Sequence, residues 1–226
     1  VRDENSNRIA KQLQVLAAAP GGQVKLAVFL LQGIDPAAFS AARAEFAGLV
    51  AEVHAAGLRC PLTTLAQLAD DPQDGDETIA MALWTPVQGI AWDAISVQVY
   101  RNLFDQGFLP ALAEPRTPFT SGLVTSYARS AVEAFGDRAA IDLGTTGGGI
   151  GVERQHPDAA SLQADLAAAL AQGISPGRIA LYSLEGALEH ADAAAWVALP
   201  GPVSVDVDAS TVELRNIFAT LDGLGD

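Results

Sequence analysis

Short apolar runs alternate along the chain with longer, Ala-rich stretches whose apolar positions recur at helical spacing. A helix is expected over 5–19, ended by Pro20-Gly21-Gly22, and the run 24–31 (VKLAVFLL) then reads as a buried strand. Asp35 and Pro36 are suited to the N-cap and first position of a second helix, and Phe39, Phe46, Leu49, Val50 and Val53 repeat at helical spacing until Gly57. The next strand is expected over 58–65 (LRCPLTTL), weakened by Pro61. A polar stretch, 70–77, reads as a solvated loop, and 78–84 as a short helix.

The clearest strand is 95–100 (ISVQVY), followed by a loop-like 109–120 with three prolines and a helix over 121–135 that Gly136 ends. Then come a strand over 139–143 (AAIDL), a glycine-rich loop over 144–151 and a helix over 158–172 ended by Gly173. A strand over 179–184 (IALYSL), a short helix over 192–199 and a last strand over 203–207 (VSVDV) follow. Ser210 and Glu213 have the spacing of a capping box for a final helix over 211–221.

Six strands, each followed by helical sequence, predict parallel β-α-β units in an α/β fold. Two architectures satisfy that pattern, an open doubly wound sheet and a (β/α)8 barrel. In the later strands aliphatic and polar residues alternate. Val97 and Val99 oppose Gln98 and Tyr100; Ile141 and Leu143 oppose Asp142; Leu181 opposes Tyr182; Val203, Val205 and Val207 oppose Asp206 and Asp208. Aliphatic residues facing a helical shell would turn the polar set toward a common interior, which is the pattern of a barrel. The expected fold is therefore a TIM (β/α)8-type barrel lacking its first two strands in this chain. Residues 1–226 would form one domain, the C-terminal three quarters of a full barrel of roughly 280 residues.

Half of the 226 residues are hydrophobic, which is ample for one core. Twenty-seven acidic against 13 basic side chains give a net charge of -14, which argues against a nucleic-acid surface and an anionic membrane face. No apolar run is long enough to span a bilayer. Cys60 is the single cysteine, so no intrachain disulfide forms, and its expected role is apolar filling. That usage is compatible with a cytoplasmic protein or an exported bacterial one; no signal peptide is expected in the sequence from Val1.

From VQVYR (97–101) through IDLGTTGGG (141–149) to LYSLEG (181–186), the chain resembles bacterial TIM-barrel proteins of the glycoside-hydrolase-like type. The resemblance covers the last two thirds and rests on short motifs; the DxxDxDxE strand of chitinase-like barrels is absent. It implies a carbohydrate-active hydrolase in which two carboxyl groups act at the C-terminal ends of the strands. Glu185, Asp142 and Asp206 are the catalytic candidates. Gln98, Tyr100, Arg101, Tyr182, Trp92 and Asp208 are candidates for substrate binding, Trp92 as a stacking platform and Arg101 as an orienting cation. Each has a plainer reading: Glu185 as part of a helix start, Arg101 as the partner of a buried acid, Asp208 as a loop cap, Trp92 as packing. Trp196 is expected to be packed on its helix.

The glycine-rich loop has neither the Walker spacing nor GxGxxG, and it reads as a site loop or a tight bend. His54, His156 and His190 show no metal-ligand spacing, so neither metal nor cofactor is expected. The partner expected is a small molecule or oligosaccharide. A phosphosugar lyase or isomerase, with phosphate on the glycine loop, and a non-catalytic barrel that binds sugar or a partner remain the alternatives.

Overall fold

Four parallel strands in sequential order form the sheet, in a computed structural model that describes residues 35–71, 77–105, 118–147 and 155–222. The helix expected over 5–19, the strand over 24–31, most of the polar loop 70–77 and of 109–120, and residues 148–151 of the glycine loop lie outside the described residues.

Helix α1 (Pro36–Ala55) begins as its sequence dictates. Asp35 accepts the Ala38 N–H at 3.0 Å, Pro36 fills the first turn, and the chain leaves through Gly57 at φ 74°. Pro61 delays β1 to Leu62–Leu65. A 3-10 turn and the short helix α2 (Thr78–Ala82) lead to β2 (Ile95–Val99), which passes through α3 (Arg101–Asp105) to α4 (Gly122–Phe135). Strand β3 (Ala139–Gly144), α5 (Ala159–Ala171) with Asp158 as its N-cap, and β4 (Ile179–Tyr182) follow. Two short helices, α6 (Leu184–Glu189) and α7 (Ala193–Val197), and a longer one, α8 (Ala209–Asp222), complete the described chain.

The register explains the faces. Val97 lies opposite Ile141 and Val99 opposite Leu143, so these four share one face and are fully buried against Leu123 and Tyr127 of α4 and Leu162 and Leu166 of α5. Gln98 lies opposite Asp142 and Gly144 opposite Tyr182, which puts the polar residues on the other face. That face is half-exposed, with Tyr182 43% exposed at its edge. Parallel sheets are normally covered on both sides; among the described residues the helices pack on the aliphatic face.

Two expectations are corrected here. The run 203–207 is not a strand: Val203 donates its N–H to the Ala167 carbonyl of α5 at 3.0 Å, and the Asp206 and Asp208 backbones lie against Gly122 at the start of α4. Alternation marks a chain that could be extended without naming what it pairs with; here the Val203 N–H goes to the helical layer, and the run joins none of the four described strands. The final helix is capped by Asp208, whose carboxylate accepts the Thr211 N–H at 2.8 Å, not by Ser210. Helix α8 then crosses α4 and is tied to it where Arg215 donates to Ser126 at 2.7 Å and pairs with Asp70. Residues Gly122 to Ala131, all but Arg129 buried, are thus covered by the sheet on one side and by the tail on the other. The fold is α/β with a four-stranded parallel sheet; no closed barrel is formed by the described strands.

Candidate functional site

The C-terminal ends of β2, β3 and β4 bring Gln98, Tyr100, Asp142 and Tyr182 onto one face. The Tyr100 and Tyr182 rings stack with centroids 5.7 Å apart and planes 26° from parallel. Gly144 of β3 permits this. A Cβ there would meet the Tyr182 carbonyl at 2.7 Å and both tyrosine side chains at 3.4 Å. Gln98 donates from Nε2 to the Tyr100 phenol oxygen at 3.3 Å. Burial, with the nearby Asp142 carboxylate, pushes the Tyr100 phenol up to about 12 against the opposing effect of Gln98.

Asp142 lies in the row below. It has no hydrogen bond or ion pair among the described residues, and burial raises its carboxyl above the usual range. A half-buried acid is costly to ionise unless a cation or hydrogen bonds offset the lost hydration, and none among the described residues does so for Asp142.

Glu185 is reached from β4 through a hydrogen-bonded junction. Ser183 caps α6, its hydroxyl accepting the Gly186 N–H at 3.1 Å, and Glu185 stands exposed in the first turn. Thr146 holds the same junction from β3. Its N–H donates to the Tyr182 carbonyl at 3.0 Å, its hydroxyl donates to the Ser183 carbonyl at 2.6 Å, and that hydroxyl oxygen accepts the Ser183 N–H at 2.9 Å. Gly186 is pressed onto Gly147, whose backbone atoms lie 2.5, 2.6 and 2.7 Å from where a Cβ would stand. The peptide bonds Gly144–Thr145 and Tyr182–Ser183 are both cis. The Thr146 hydrogen bonds continue the β3–β4 pairing past the strands, up to the turn that carries Glu185.

Behind the face, a buried polar network holds the end of β3 against α3 and α5. Arg101 donates from Nε to both Asp165 oxygens at 3.0 Å, from Nη1 to the Phe119 carbonyl at 3.2 Å and from Nη2 to the Ser161 hydroxyl at 2.7 Å. Ser121 donates to Asp165 at 2.6 Å. His156 lies 2.9 Å by Nε2 from the Gly144 carbonyl and 3.1 Å by Nδ1 from Ser161 Oγ. A carbonyl only accepts, so Nε2 carries the proton. Burial, together with Arg101, lowers the ring's pKa despite Asp165, so Nδ1 accepts from Ser161. Asn102 brackets Thr145, donating to its hydroxyl at 2.8 Å and accepting its N–H at 3.0 Å.

Of the expected site residues, Gln98, Tyr100, Asp142 and Tyr182 are brought together, and Glu185 follows at the end of β4. The others are placed elsewhere. Arg101 is turned into the helical layer as the partner of Asp165, so it is a structural cation rather than one that orients a substrate. Trp92 is buried at the opposite end of β2, with its ring 6.3 Å from Phe46, and is no stacking platform. Asp206 is exposed in the tail over α4, off the sheet. Asp208 is a clasp: burial works to raise its pKa, but hydrogen bonds from the Thr211 N–H and from Thr120 outweigh that and hold it low. Trp196 is packed as expected, stacked on His190 at 3.9 Å, while His190 reaches the Thr146 carbonyl at 3.0 Å.

The supporting residues Asn102, Thr146 and His156 were not singled out for these roles by sequence. Only Ser183, three residues before Gly186, carries a local signal, that of a helix cap. Among the described residues no cluster of three or more His, Cys, Asp or Glu forms a metal site, and no helix is long and apolar enough to cross a membrane. No family model, curated protein or solved structure matches the chain at a significant level.

Proposed function

We propose that the polar face of the sheet is a saccharide site of the glycoside-hydrolase type, and that the four strands are an arc of a (β/α)8 barrel. The strand order supports the barrel reading: it runs sequentially without the reversal that a doubly wound sheet requires. The tail does not supply a stave beside β4, so a closed barrel would draw its other strands from sequence outside the described four.

The observation that carries the functional reading is the pairing of an aromatic platform with a carboxyl group that has no partner among the described residues. Tyr182 presents a half-exposed ring on which the apolar C–H face of a pyranose packs, and Gln98 offers hydrogen bonds beside it. Asp142, whose carboxyl burial raises, is the proton donor to the glycosidic oxygen as the C–O bond breaks. Glu185 is the ionised partner, which either bonds to the anomeric carbon or takes a proton from the attacking water. Water completes the reaction in either case, giving two shorter sugars.

Arg101 is turned away, so a phosphosugar would find no described arginine on this face, and the saccharide reading is the better supported. Turnover of a panel of oligosaccharides and aryl glycosides tests it. The protein is expected to cleave at least one, and Glu185→Gln to remove that activity while leaving the denaturation midpoint in place. Unchanged turnover in the variant would take Glu185 out of the mechanism.

A further inference from the structure

The saccharide site takes up one face of the sheet. Behind that face, at the same C-terminal end of β3, stands a second constellation whose bonds are those of a nucleophile with its base. Ser161 lies in the first turn of α5 and is half-buried, and Pro157, Asp158 and Ala160 around it are exposed, so solvent reaches this turn. His156 lies between β3 and α5 and is buried. The end of a parallel sheet where strands finish and helices begin is where such folds place their reactive groups.

The two partners of Ser161 Oγ differ in kind. His156 Nδ1, 3.1 Å away, takes its hydrogen, because Nε2 of the same ring carries a proton for the Gly144 carbonyl at 2.9 Å. Arg101 Nη2 donates to the oxygen at 2.7 Å. An alcohol that donates to a neutral imidazole and faces a guanidinium gives up its proton more readily than a free serine does. Behind the base, an Asp165 oxygen lies 3.6 Å from Nε2. Burial is the largest influence on the ring and lowers its pKa; Asp165 and Asp158 favour the imidazolium, and Arg101 opposes it. The imidazole is therefore neutral and free to accept a proton at neutral pH.

We propose that Ser161 is a nucleophile with His156 as its base and Asp165 as the group that orients and stabilises the imidazolium, and that this site hydrolyses neutral esters of short-chain carboxylic acids. Oγ bonds to the ester carbonyl carbon while its proton passes to Nδ1, and the Arg101 charge stands beside the oxygen that becomes negative. The bond from that carbon to the alcohol oxygen then breaks, and the alcohol leaves with the proton from Nδ1. Water adds to the acyl carbon, giving a proton to Nδ1; the bond to Oγ breaks, and Ser161 takes that proton back. The products are an acid and an alcohol. The exposed side chains of Pro157 and Ala160 are too small to cover a long acyl chain, and the Asp158 carboxylate disfavours an anionic one. The ester site is independent of the saccharide site, and loss of one leaves the other standing.

Labelling of the unaltered protein with a fluorophosphonate, followed by mass spectrometry of its peptides, tests the inference. An activated serine forms the O–P bond, the P–F bond breaks, and the proton goes to the base. The label is expected on Ser161, at a rate that rises with pH as His156 loses its proton and is half-maximal below pH 6.5. Ser161→Ala should take no label, and His156→Gln should be labelled about a hundredfold more slowly, the usual worth of a general base. Hydrolysis of para-nitrophenyl acetate should fall in both variants. No label on the unaltered protein, or label on another residue alone, would overturn the inference, as would an equal rate in a folded His156→Gln. Should that variant not fold, the pH profile of the unaltered protein decides by itself: a rate still climbing above pH 8 would take His156 out of the base's role and end the proposal.

Discussion

Tyr100, the residue that follows β2, and Tyr182, the last of β4, stack their rings 5.7 Å apart across the single glycine of β3 between them. Three strand ends thereby act as one surface. The relationship depends on Gly144, so Gly144→Ala is expected to destabilise the protein by about 1–3 kcal/mol, the usual cost of forcing atoms into a filled space. Chemical denaturation measures it, with Gly177→Ala as a control at a glycine whose Cβ would meet nothing within 4 Å. Equal midpoints for the two variants would mean the rings do not depend on that gap.

The junction that carries Glu185 makes a harsher prediction. All three near contacts of a Cβ on Gly186 are backbone atoms of Gly147, which have no rotamer to move aside. Gly186→Ala is expected to cost at least as much as the Gly144 variant, about 3 kcal/mol, because the turn itself must shift. It should also lower turnover of any substrate found, through displacement of Glu185. A variant with full stability and full activity would show the turn to be compliant.

His156 ties acid stability to the end of β3. Its folded-state pKa is lowered from 6.5, chiefly by burial, so the unfolded chain binds this proton more readily. Stability rises with pH wherever the unfolded state holds more protons. The contribution of His156 is therefore fully present above pH 6.5 and is lost as the pH falls from there through the folded-state value. Denaturation midpoints at pH 8 and pH 5 should differ less in His156→Gln than in the unaltered protein. The same difference in both would exclude His156 as a source of it.

Asp142 has the opposite sign. Burial raises its carboxyl in the folded state, so ionisation weakens the fold, and that penalty grows as the pH rises from the unfolded value of 3.8 through the folded one. Asp142→Asn keeps the shape without the charge, and it is expected to raise the melting temperature at neutral pH while removing activity. A lowered melting temperature would mean that the carboxylate has a stabilising partner.

Arg101 and Asp165 illustrate what the sequence conceals. Arg101 directly follows the strand that carries Gln98 and Tyr100, and Asp142 is the acid that the strand pattern offers it. Its actual partner is 64 residues along the chain, on α5. Residue 101 begins a helix, and that turn swings the guanidinium out of the strand alternation and into the helical layer. Asp165→Ala would leave this cation buried and unpaired, at a cost of about 3–5 kcal/mol by urea denaturation. A loss under about 1 kcal/mol would contradict the pairing.

The parts of the fold set by local chemistry were readable. Asp35 caps its helix where the sequence puts it, Gly136 ends α4, and the alternation around Val97 and Ile141 assigns the faces of β2 and β3 correctly. The same alternation misassigned 203–207, because period-two patterning marks an extended chain without saying what it pairs with. Asp206 and Asp208 left the candidate site for that reason. The support around Thr146 and His156 was hidden for a related one: its partners are backbone carbonyls, which leave no trace in side-chain pattern. Gln98, Tyr100, Asp142 and Tyr182 were legible because strand parity and strand register agree.

The chain has three tyrosines, and they are placed as an experiment would want them: Tyr100 and Tyr182 on the polar face, Tyr127 fully buried behind it. Selective isotope labelling of tyrosine rings, followed by NMR during titration with a saccharide, therefore tests the central claim with an internal control. The rings of Tyr100 and Tyr182 are expected to shift in a saturable way while Tyr127 stays in place. Saccharide binding that leaves Tyr100 and Tyr182 unmoved would contradict the account, since the sugar would then lie somewhere else on the protein.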